Sequence, residues 1–303
     1  MKRLDRPGSF IFLDTELGIC RKVYRGPFAE ERAFDERTAL EVCRRVGLLA
    51  PRALRSGHGK APWLEMTLER GLAWEGHVAE APREYVTAVG DYLRCLHGLF
   101  RPDSPGFGWL PSRQDIFSGA SEFLIFLVRD QIASLPAAIG SGMTRLISAA
   151  CHDSPLVPLH RDVKPEHALG TDLADTFSER KLMRLNSLEG MCLLDWEYAS
   201  RGPAFYDWAM LTWRACCDLP LGAHCSVSDS AVAEDALVSA VIEVSGLPQQ
   251  QLAVGIARAA LVWAQHRGSA EFAAAVRCCT AALDGASPQA ILEISGLGAR
   301  PCS

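Results

Sequence analysis

The chain has 303 residues, 49% of them hydrophobic, and a formal net charge of −5 at pH 7. This length allows one large domain or two domains with a sizeable core. A mildly acidic chain does not hold nucleic acid by neutralising its phosphates, so we expect no nucleic-acid partner. No stretch approaches the ~18 consecutive apolar residues of a membrane span, so we expect no membrane segment either.

The cysteines favour a reducing compartment. There are 11 of them, an odd number, and none forms a Cys-x-x-Cys pair. The adjacent pairs at 216–217 and 278–279 cannot easily chelate one tetrahedral metal ion. Charged residues follow Met1 at once and no apolar leader comes after them, so no signal peptide is predicted. We therefore expect reduced, mostly buried thiols in a cytoplasmic protein.

The first part of the chain shows strand-like patterns. A short apolar run at 9–13, a turn, and a second run at 19–24 predict a β-hairpin. Apolar residues at helical spacing predict a helix over 34–46, which Gly47 would end. A further buried strand is predicted at 62–66.

From about residue 70 onward the patterns become helical. Helices are predicted over 85–99, 121–135 and 143–150, with three or four more after residue 231. In the centre of this part, short apolar runs alternate with polar clusters. The polar stretch 173–190 is expected to form an extended or mobile loop. The outline is an α+β chain with a small β-rich front and a larger helical body.

Two clusters in the central region carry candidate chemistry, one centred on Asp162 and the other on Asp195 and Glu197. Each places a carboxylate just beyond an apolar run, as a strand end does when it delivers an acid into a cleft. Phosphoryl transfer needs one carboxylate to orient the attacking hydroxyl and take its proton. It needs another to hold Mg²⁺ against the phosphates.

Phosphoryl transfer also needs a lysine on the nucleotide phosphates and an acid that holds this lysine. Lys22, in the second predicted strand, is the candidate lysine, although a surface lysine on a hairpin is the common case. Glu36 in the following helix is its candidate partner. Glu30, Glu31 and Glu41 compete with it for that position.

The central clusters resemble kinase motifs. The His-Arg-Asp motif that ends at Asp162, followed by Lys164, resembles the catalytic loop of protein kinases. The Asp-Trp-Glu motif that begins at Asp195 is more similar to the aminoglycoside phosphotransferase and choline kinase family. Those enzymes have the protein-kinase-like fold and carry Asp-x-Asp/Glu in place of Asp-Phe-Gly. The resemblance covers roughly residues 10–210.

The resemblance implies a bilobal fold, with a nucleotide-binding N-terminal lobe over 1–68 and a larger, mostly helical catalytic and substrate-binding lobe over 69–303. It also implies ATP or GTP and Mg²⁺ as cofactors. The implied roles are Asp162 as catalytic base, Lys22 and Glu36 at the nucleotide phosphates, Asp195 on Mg²⁺, Glu197 near the second metal or the substrate, Asp207 as anchor and His160 as support of the catalytic loop, and Glu65 and Met66 in an adenine-binding hinge over 64–68.

The chain departs from the family pattern at two positions. His167 replaces the Asn that normally gives Mg²⁺ an oxygen five residues after the catalytic Asp. A neutral imidazole can ligate a divalent ion, but Mg²⁺ prefers oxygen, so His167 is kept both as a candidate ligand and as a hydrogen-bonded loop residue. The expected nucleotide loop contains only Gly8 before the first predicted strand, which leaves few backbone donors for phosphates.

The leading interpretation is a kinase that moves the γ-phosphate of ATP or GTP to a hydroxyl of a small polar molecule. The acidic balance favours a cationic acceptor such as an aminoglycoside-type antibiotic or an amino alcohol. A protein kinase is one alternative, although neither Phe-Gly after Asp195 nor an Ala-Pro-Glu motif is present. A catalytically weak nucleotide-binding regulatory module is the other. The oligomeric state is not predicted.

Overall fold

The computed structural model of the protein gives the placement of most of the chain. Of the predicted loop at 173–190, only residue 190 falls within the described part. The described residues are 1–6, 8–98, 108–109, 117, 119–152, 154–170, 190–218, 227–264 and 269–296.

An antiparallel sheet of five strands opens the chain, in the order β1-β2-β3-β5-β4. Its strands are β1 (Lys2–Arg6), β2 (Ser9–Asp14), β3 (Ile19–Tyr24), β4 (Ala53–Gly57) and β5 (Trp63–Thr67). The predicted hairpin is β2 and β3. Strand β1 was not predicted, because four of its five residues are charged and only Leu4 is apolar. It forms because it pairs along its whole length with β2.

Helix α1 (Ala29–Arg45) connects β3 to β4 and begins before residue 34, where the apolar pattern placed its start. Acidic residues in the first turn favour this earlier start, since they interact well with the positive end of the helix. Phe34 is exposed, and the buried face contains the charged residues Arg32, Asp35 and Glu36. A hydrophobic pattern does not detect a buried face that carries charges.

The rest of the chain is mostly helical. The predicted helix over 121–135 is two short helices, because Val128 leaves the helical conformation and buries its side chain completely. Four helices follow residue 226 among the described residues, within the predicted three or four. The helices are α2 (Pro82–Gly98), α3 (Ala120–Phe126), α4 (Arg129–Ala133), α5 (Ala137–His152), α6 (Phe205–Asp218), α7 (Val227–Ser245), α8 (Gln249–Ala264), α9 (Ser269–Leu283) and α10 (Pro288–Ser295).

Two small sheets lie among these helices. One has the order β10-β9-β6 and the other β7-β11-β8. Strand β8 ends one residue before His160 and strand β10 two residues before Asp195, so both acidic clusters follow strand ends as predicted. The strands are β6 (Leu72–Ala73), β7 (Gly108–Trp109), β8 (Leu156–Leu159), β9 (Ala168–Gly170), β10 (Met191–Leu193) and β11 (Ser200–Pro203).

Close packing fixes the helices beneath these strands. A Cβ atom on Gly255 in α8 would lie 2.5 Å from the Cβ of Ala209 in α6, so only glycine allows this approach. The thiols of Cys43, Cys192 and Cys278 are buried and free, as expected for core residues. Within the described ranges, no helix is both long and apolar enough to cross a membrane. The domain boundary at residue 68 stays a prediction.

Glu234 in α7 is expected to make the stability of the protein depend on pH. Its carboxyl is buried, and burial together with Asp235 and Glu293 raises its pKa from 4.5 to about 7. Between these values the folded chain binds more protons than the unfolded chain, so the free energy of unfolding falls as the pH rises through this window. Melting curves recorded over this pH range should show no such fall in stability for the Glu234→Gln variant. If the variant keeps the pH dependence of the wild type, Glu234 is not the group responsible.

Candidate active site

Asp207 anchors the loop that carries Asp162. Its carboxylate is fully buried in the first turn of α6. One oxygen accepts the backbone N–H of His160 at 2.9 Å and the other accepts that of Arg161 at 2.7 Å. His97 lies 3.3 Å from the same carboxylate. This one side chain therefore satisfies two buried backbone donors of the loop.

Two residues of the candidate site adopt a left-handed backbone conformation. Arg161 has φ 71° and Asp195 has φ 64°. This region costs residues other than glycine of the order of 1–3 kcal/mol, and such strain concentrates at functional loops. At Arg161 the bond to Asp207 compensates for part of this cost.

His160 joins the two acidic clusters. Its Nε2–H donates to the carbonyl oxygen of Leu194 at 2.9 Å, and its Nδ1 accepts the backbone N–H of Asp162 at 3.3 Å. The edge of its ring meets Trp196 at 4.5 Å between centroids. Burial lowers the pKa of His160. A neutral imidazole fits one donated and one accepted bond, so His160 fixes the distance between the two loops.

Lys22 lies at the centre of a buried ion network. It is only 4% exposed, and its Nζ is 2.9 Å from Glu36 and 3.1 Å from Glu197. It also forms a close ion pair with Asp195. Burial works against the charged amine, but Asp195 and Glu36 outweigh it and raise the pKa of Lys22 well above its usual value. The amine therefore carries its charge at neutral pH.

Glu36 receives hydrogen bonds at both carboxylate oxygens. Oε1 accepts the backbone N–H of Trp196 at 3.2 Å, while Oε2 accepts the hydroxyl of Tyr24 and the amine of Lys22. Burial and the neighbouring carboxylates of Asp195 and Glu197 raise the pKa of Glu36. Glu30, Glu31 and Glu41, the competing acids, do not pair with Lys22. Glu36 thus connects the sheet, α1 and the Asp195 loop.

Asp162 faces two nitrogen groups of its own loop. Lys164 Nζ lies 3.0 Å and His167 Nδ1 3.5 Å from its Oδ2. Burial works against the carboxylate, but His167 and Lys164 outweigh it and lower the pKa of Asp162. The group is therefore ionised at neutral pH, the form that accepts a proton.

His167 lies between the two acids. Its Nδ1 is 3.2 Å from the carbonyl oxygen of Asp162 and its Nε2 is 3.2 Å from Oδ2 of Asp195. Burial lowers the pKa of His167 to about 4, so the ring is neutral near pH 7. The ligand atoms of Asp162, His167 and Asp195 lie close enough together to hold one ion. The two carboxylates suit Mg²⁺, whereas the imidazole nitrogen does not.

Glu197 is buried among positively charged side chains, which does not favour a role as metal ligand. Its carboxylate is buried and pairs with Lys22 and with Arg32 at 3.3 Å. With Glu36 and Asp195 it forms a second group of acids close enough for an ion. Here the Lys22 amine already supplies the positive charge. The expected place near a second metal or the substrate is therefore less favoured for Glu197 than a place in the Lys22 network.

Arg32 is the residue of the site that the sequence did not indicate. Its guanidinium donates to the carbonyl oxygens of Gly8 at 3.1 Å and of Arg25, and it pairs with Glu197. It therefore links the turn before β2 to the Asp195 loop. The available signal was its position four residues before Glu36, on the same face of α1. The predicted helix began after Arg32 and so excluded it.

The predicted hinge falls inside the sheet. Glu65 and Met66 lie in β5 between β3 and β4, where they pair with strands on both sides. The Glu65 side chain binds Arg21 at 2.8 Å and Arg55 at 2.7 Å. The backbone N–H of Leu68 also has a partner, the carbonyl oxygen of Gly18. The sheet uses these backbone groups, which does not favour an adenine-binding hinge over 64–68.

Replacing Asp207 with Ala should destabilise the protein through the catalytic loop. Two buried N–H groups lose their acceptor, which costs about 2–4 kcal/mol of unfolding free energy. Urea unfolding measures this loss. The Asp207→Asn variant keeps one acceptor oxygen and should lose clearly less. Equal losses in the two variants would contradict the anchoring role.

The sequence comparison agrees with this geometry. The model of the phosphotransferase enzyme family matches residues 19–223, more than half of the chain. The chain belongs to this family. The matched part of this phosphotransferase contains Lys22, Glu36, Asp162, Asp195 and Asp207. No curated protein matches its sequence significantly.

Solved structures show the fold of this phosphotransferase. A choline/ethanolamine kinase family protein from Mesorhizobium loti has a TM-score of 0.60 at 15% identity, over 97% of this chain and 91% of that one. Aminoglycoside phosphotransferase APH(3'')-Id from Streptomyces rimosus has a TM-score of 0.62 at 15% identity, over 87% and 93%. Choline kinase LicA from Streptococcus pneumoniae has a TM-score of 0.57 at 12% identity, over 94% and 93%. The predicted bilobal, protein-kinase-like α+β fold is confirmed.

Proposed function

We propose that this phosphotransferase moves the γ-phosphate of ATP to a hydroxyl of a small polar molecule. The observation that carries the proposal is the convergence of Asp162 and Asp195, bridged by His167, beside a charged Lys22 that Glu36 holds. These groups come from both lobes and meet where two loops leave their strands. Structural neighbours described as complexes with AMP-PNP or ADP support an adenine nucleotide.

The proposed roles follow from charge and position. Asp162 is ionised and takes the proton of the acceptor hydroxyl as it attacks. Lys164, 3.0 Å from Asp162, supplies positive charge where the transferred phosphoryl group becomes more negative. Lys22 contacts the α- and β-phosphates once it leaves Asp195. A divalent ion held by Asp195 would neutralise charge on the phosphates.

The remaining parts of the cleft are assigned from backbone geometry. Arg32 holds the Gly8 turn over the phosphates and offsets the scarcity of glycine there. The adenine is expected on the backbone of residues 69–71, because the backbone donors up to Leu68 are used by the sheet.

The acceptor class is proposed from charge and from the neighbours. One solved neighbour, a mutant of APH(4)-Ia, is described in a ternary complex with AMP-PNP and hygromycin B. The net charge of −5 favours cationic acceptors over anionic ones. An amino sugar or an amino alcohol is therefore the proposed substrate.

An acceptor screen tests the proposal. Nucleotide consumption is measured with panels of aminoglycosides, amino alcohols, nucleoside antibiotics and kinase peptides, each with wild-type protein and with the Asp162→Asn variant. We expect turnover with at least one small acceptor and a turnover about 10²–10⁴-fold lower in the variant. Turnover on peptides alone would favour a protein kinase instead.

A nucleotide-binding module with weak activity is the second candidate. Two observations favour it. His167 stands where the family has a metal-binding Asn, and both carboxylate oxygens of Asp195 already face side chains, one Lys22 and the other His167. Thermal shift with ATP separates the candidates. A shift that is the same with and without divalent ions, together with no turnover on any acceptor, would favour the module.

A further inference from the structure

We propose that the group formed by Asp162, His167 and Asp195 selects a divalent first-row transition-metal ion over Mg²⁺, with Nε2 of His167 as a direct ligand. The inference rests on the proposed function, because this group lies at the proposed phosphoryl-transfer site.

The distances at His167 suit a shared ion. Nε2 lies 3.2 Å from Oδ2 of Asp195. An ion at about 2.1 Å from each atom, an ordinary metal–ligand distance, would see them at an angle of about 100°. Neighbouring ligands of an octahedral ion stand at nearly this angle. The separation of these two atoms therefore fits one shared ion.

The hydrogen bond of the other ring nitrogen fixes which nitrogen is free. Nδ1 faces the carbonyl oxygen of Asp162 at 3.2 Å, and a carbonyl can only accept. With the proton on Nδ1, as this bond requires, Nε2 carries the lone pair and lies 3.2 Å from a carboxylate oxygen of Asp195. Two acceptors that face each other repel. A cation between them removes the repulsion, and the bond at Nδ1 orients the ring as metal-bound histidines are usually oriented.

The second acidic group does not compete for this ion. Glu36 and Glu197 are both paired with Lys22, and Glu197 also with Arg32. Asp195 uses one oxygen for Lys22 and turns the other towards His167. Oδ2 of Asp195, the oxygen that faces His167, has no ammonium or guanidinium partner among the described residues, whereas the Lys22 amine pairs with all three acids of the second group.

The donor set determines the preferred ion. Mg²⁺ binds oxygen and takes imidazole reluctantly, whereas affinity for nitrogen ligands rises along the series from Mn²⁺ to Cu²⁺. One nitrogen with carboxylate oxygens therefore favours ions such as Co²⁺ and Mn²⁺. Exchanging His167 for Asn would supply an amide oxygen and should return the preference to Mg²⁺.

Metal titration of the full-length protein without nucleotide tests the site directly. Co²⁺ binding is followed by visible absorption and Mn²⁺ binding by electron paramagnetic resonance, each in competition with Mg²⁺. We expect the wild type to prefer both ions over Mg²⁺ and the His167→Asn variant to lose about 10–100-fold of that preference. The Co²⁺ spectrum should also change in the variant, because it loses a nitrogen ligand. The matched control is His152→Asn, at an exposed residue of α5.

A second titration with AMP-PNP separates this inference from the proposed function. Equal ion preference in wild type and His167→Asn would overturn the metal inference, and His167 would then be a hydrogen-bonded loop residue. Nucleotide binding with Mg²⁺ would in that case still support the proposed function. The expected ion preference without AMP-PNP binding would instead support the metal site and overturn the kinase function.

Discussion

The Asp162→Asn variant is expected to lower kcat by about 10²–10⁴-fold, the range for removing a general base. The amide cannot accept the proton of the acceptor hydroxyl. It keeps the size of the carboxylate, and the loop keeps its anchor on Asp207. The KM for ATP should change little, because Lys22 and Asp195 are untouched. Steady-state kinetics with the acceptor found by screening measures both constants.

Two controls make the Asp162 result specific. Circular dichroism should match that of the wild type, since among the described residues the Asp162 carboxylate pairs only with Lys164 and His167 of its own loop. The Glu41→Gln variant is the matched control, because it also removes one carboxylate charge, and Glu41 is an exposed acid of α1 that pairs with Arg37. A kcat for Asp162→Asn close to that of the wild type would remove Asp162 from the proposed mechanism.

The Asp195→Asn variant is expected to lower kcat/KM for ATP by about 10²–10³-fold, the usual cost of removing one preorganised electrostatic group. Its carboxylate is the proposed metal ligand and the ion-pair partner of Lys22. Burial works against the carboxylate, but Lys22 and His167 outweigh it and lower the pKa of Asp195. The group is therefore ionised at neutral pH, and the substitution removes a full charge. Isothermal titration with AMP-PNP should show that divalent ions no longer improve nucleotide binding.

The Lys22 network provides the control for Asp195. Glu36 and Glu197 remain beside the amine in the variant, so the melting temperature should fall by no more than a few degrees. A Glu197→Gln variant, which changes the same network, should retain dependence on divalent ions. Ion-dependent nucleotide binding that persists in Asp195→Asn but disappears in Glu197→Gln would transfer the metal role to Glu197.

Much of the site could be predicted because its motifs are local. The His-Arg-Asp motif and the Asp195 motif each lie within a few residues, and each follows an apolar run that forms a short strand. Residue type alone predicts that the apolar run is buried and that the acid after it lies at the edge of the core. The family match and the fold agree with that interpretation.

The sequence missed features that depend on pairing between strands rather than on the local pattern of apolar residues. Strand β1 has almost no apolar residues and forms through its backbone pairing with β2. The hinge with Glu65 and Met66 was implied by the family resemblance and by no pattern of the residues themselves. The neighbouring strands instead use those backbone groups, which only the sheet order reveals.

The sequence by itself determined which groups are candidates for the chemistry: two carboxylate loops, a lysine, and a histidine in place of an asparagine at residue 167. The tertiary structure decided which charges meet. Arg32 and Glu36 lie on a helix face that looks polar in sequence, yet both are buried because Lys22 and Glu197 reach them from other elements. Burying a charge is favourable only beside such a partner, and partners far apart in sequence become neighbours only in the fold. Only the fold shows that the Nε2 of His167 faces Asp195.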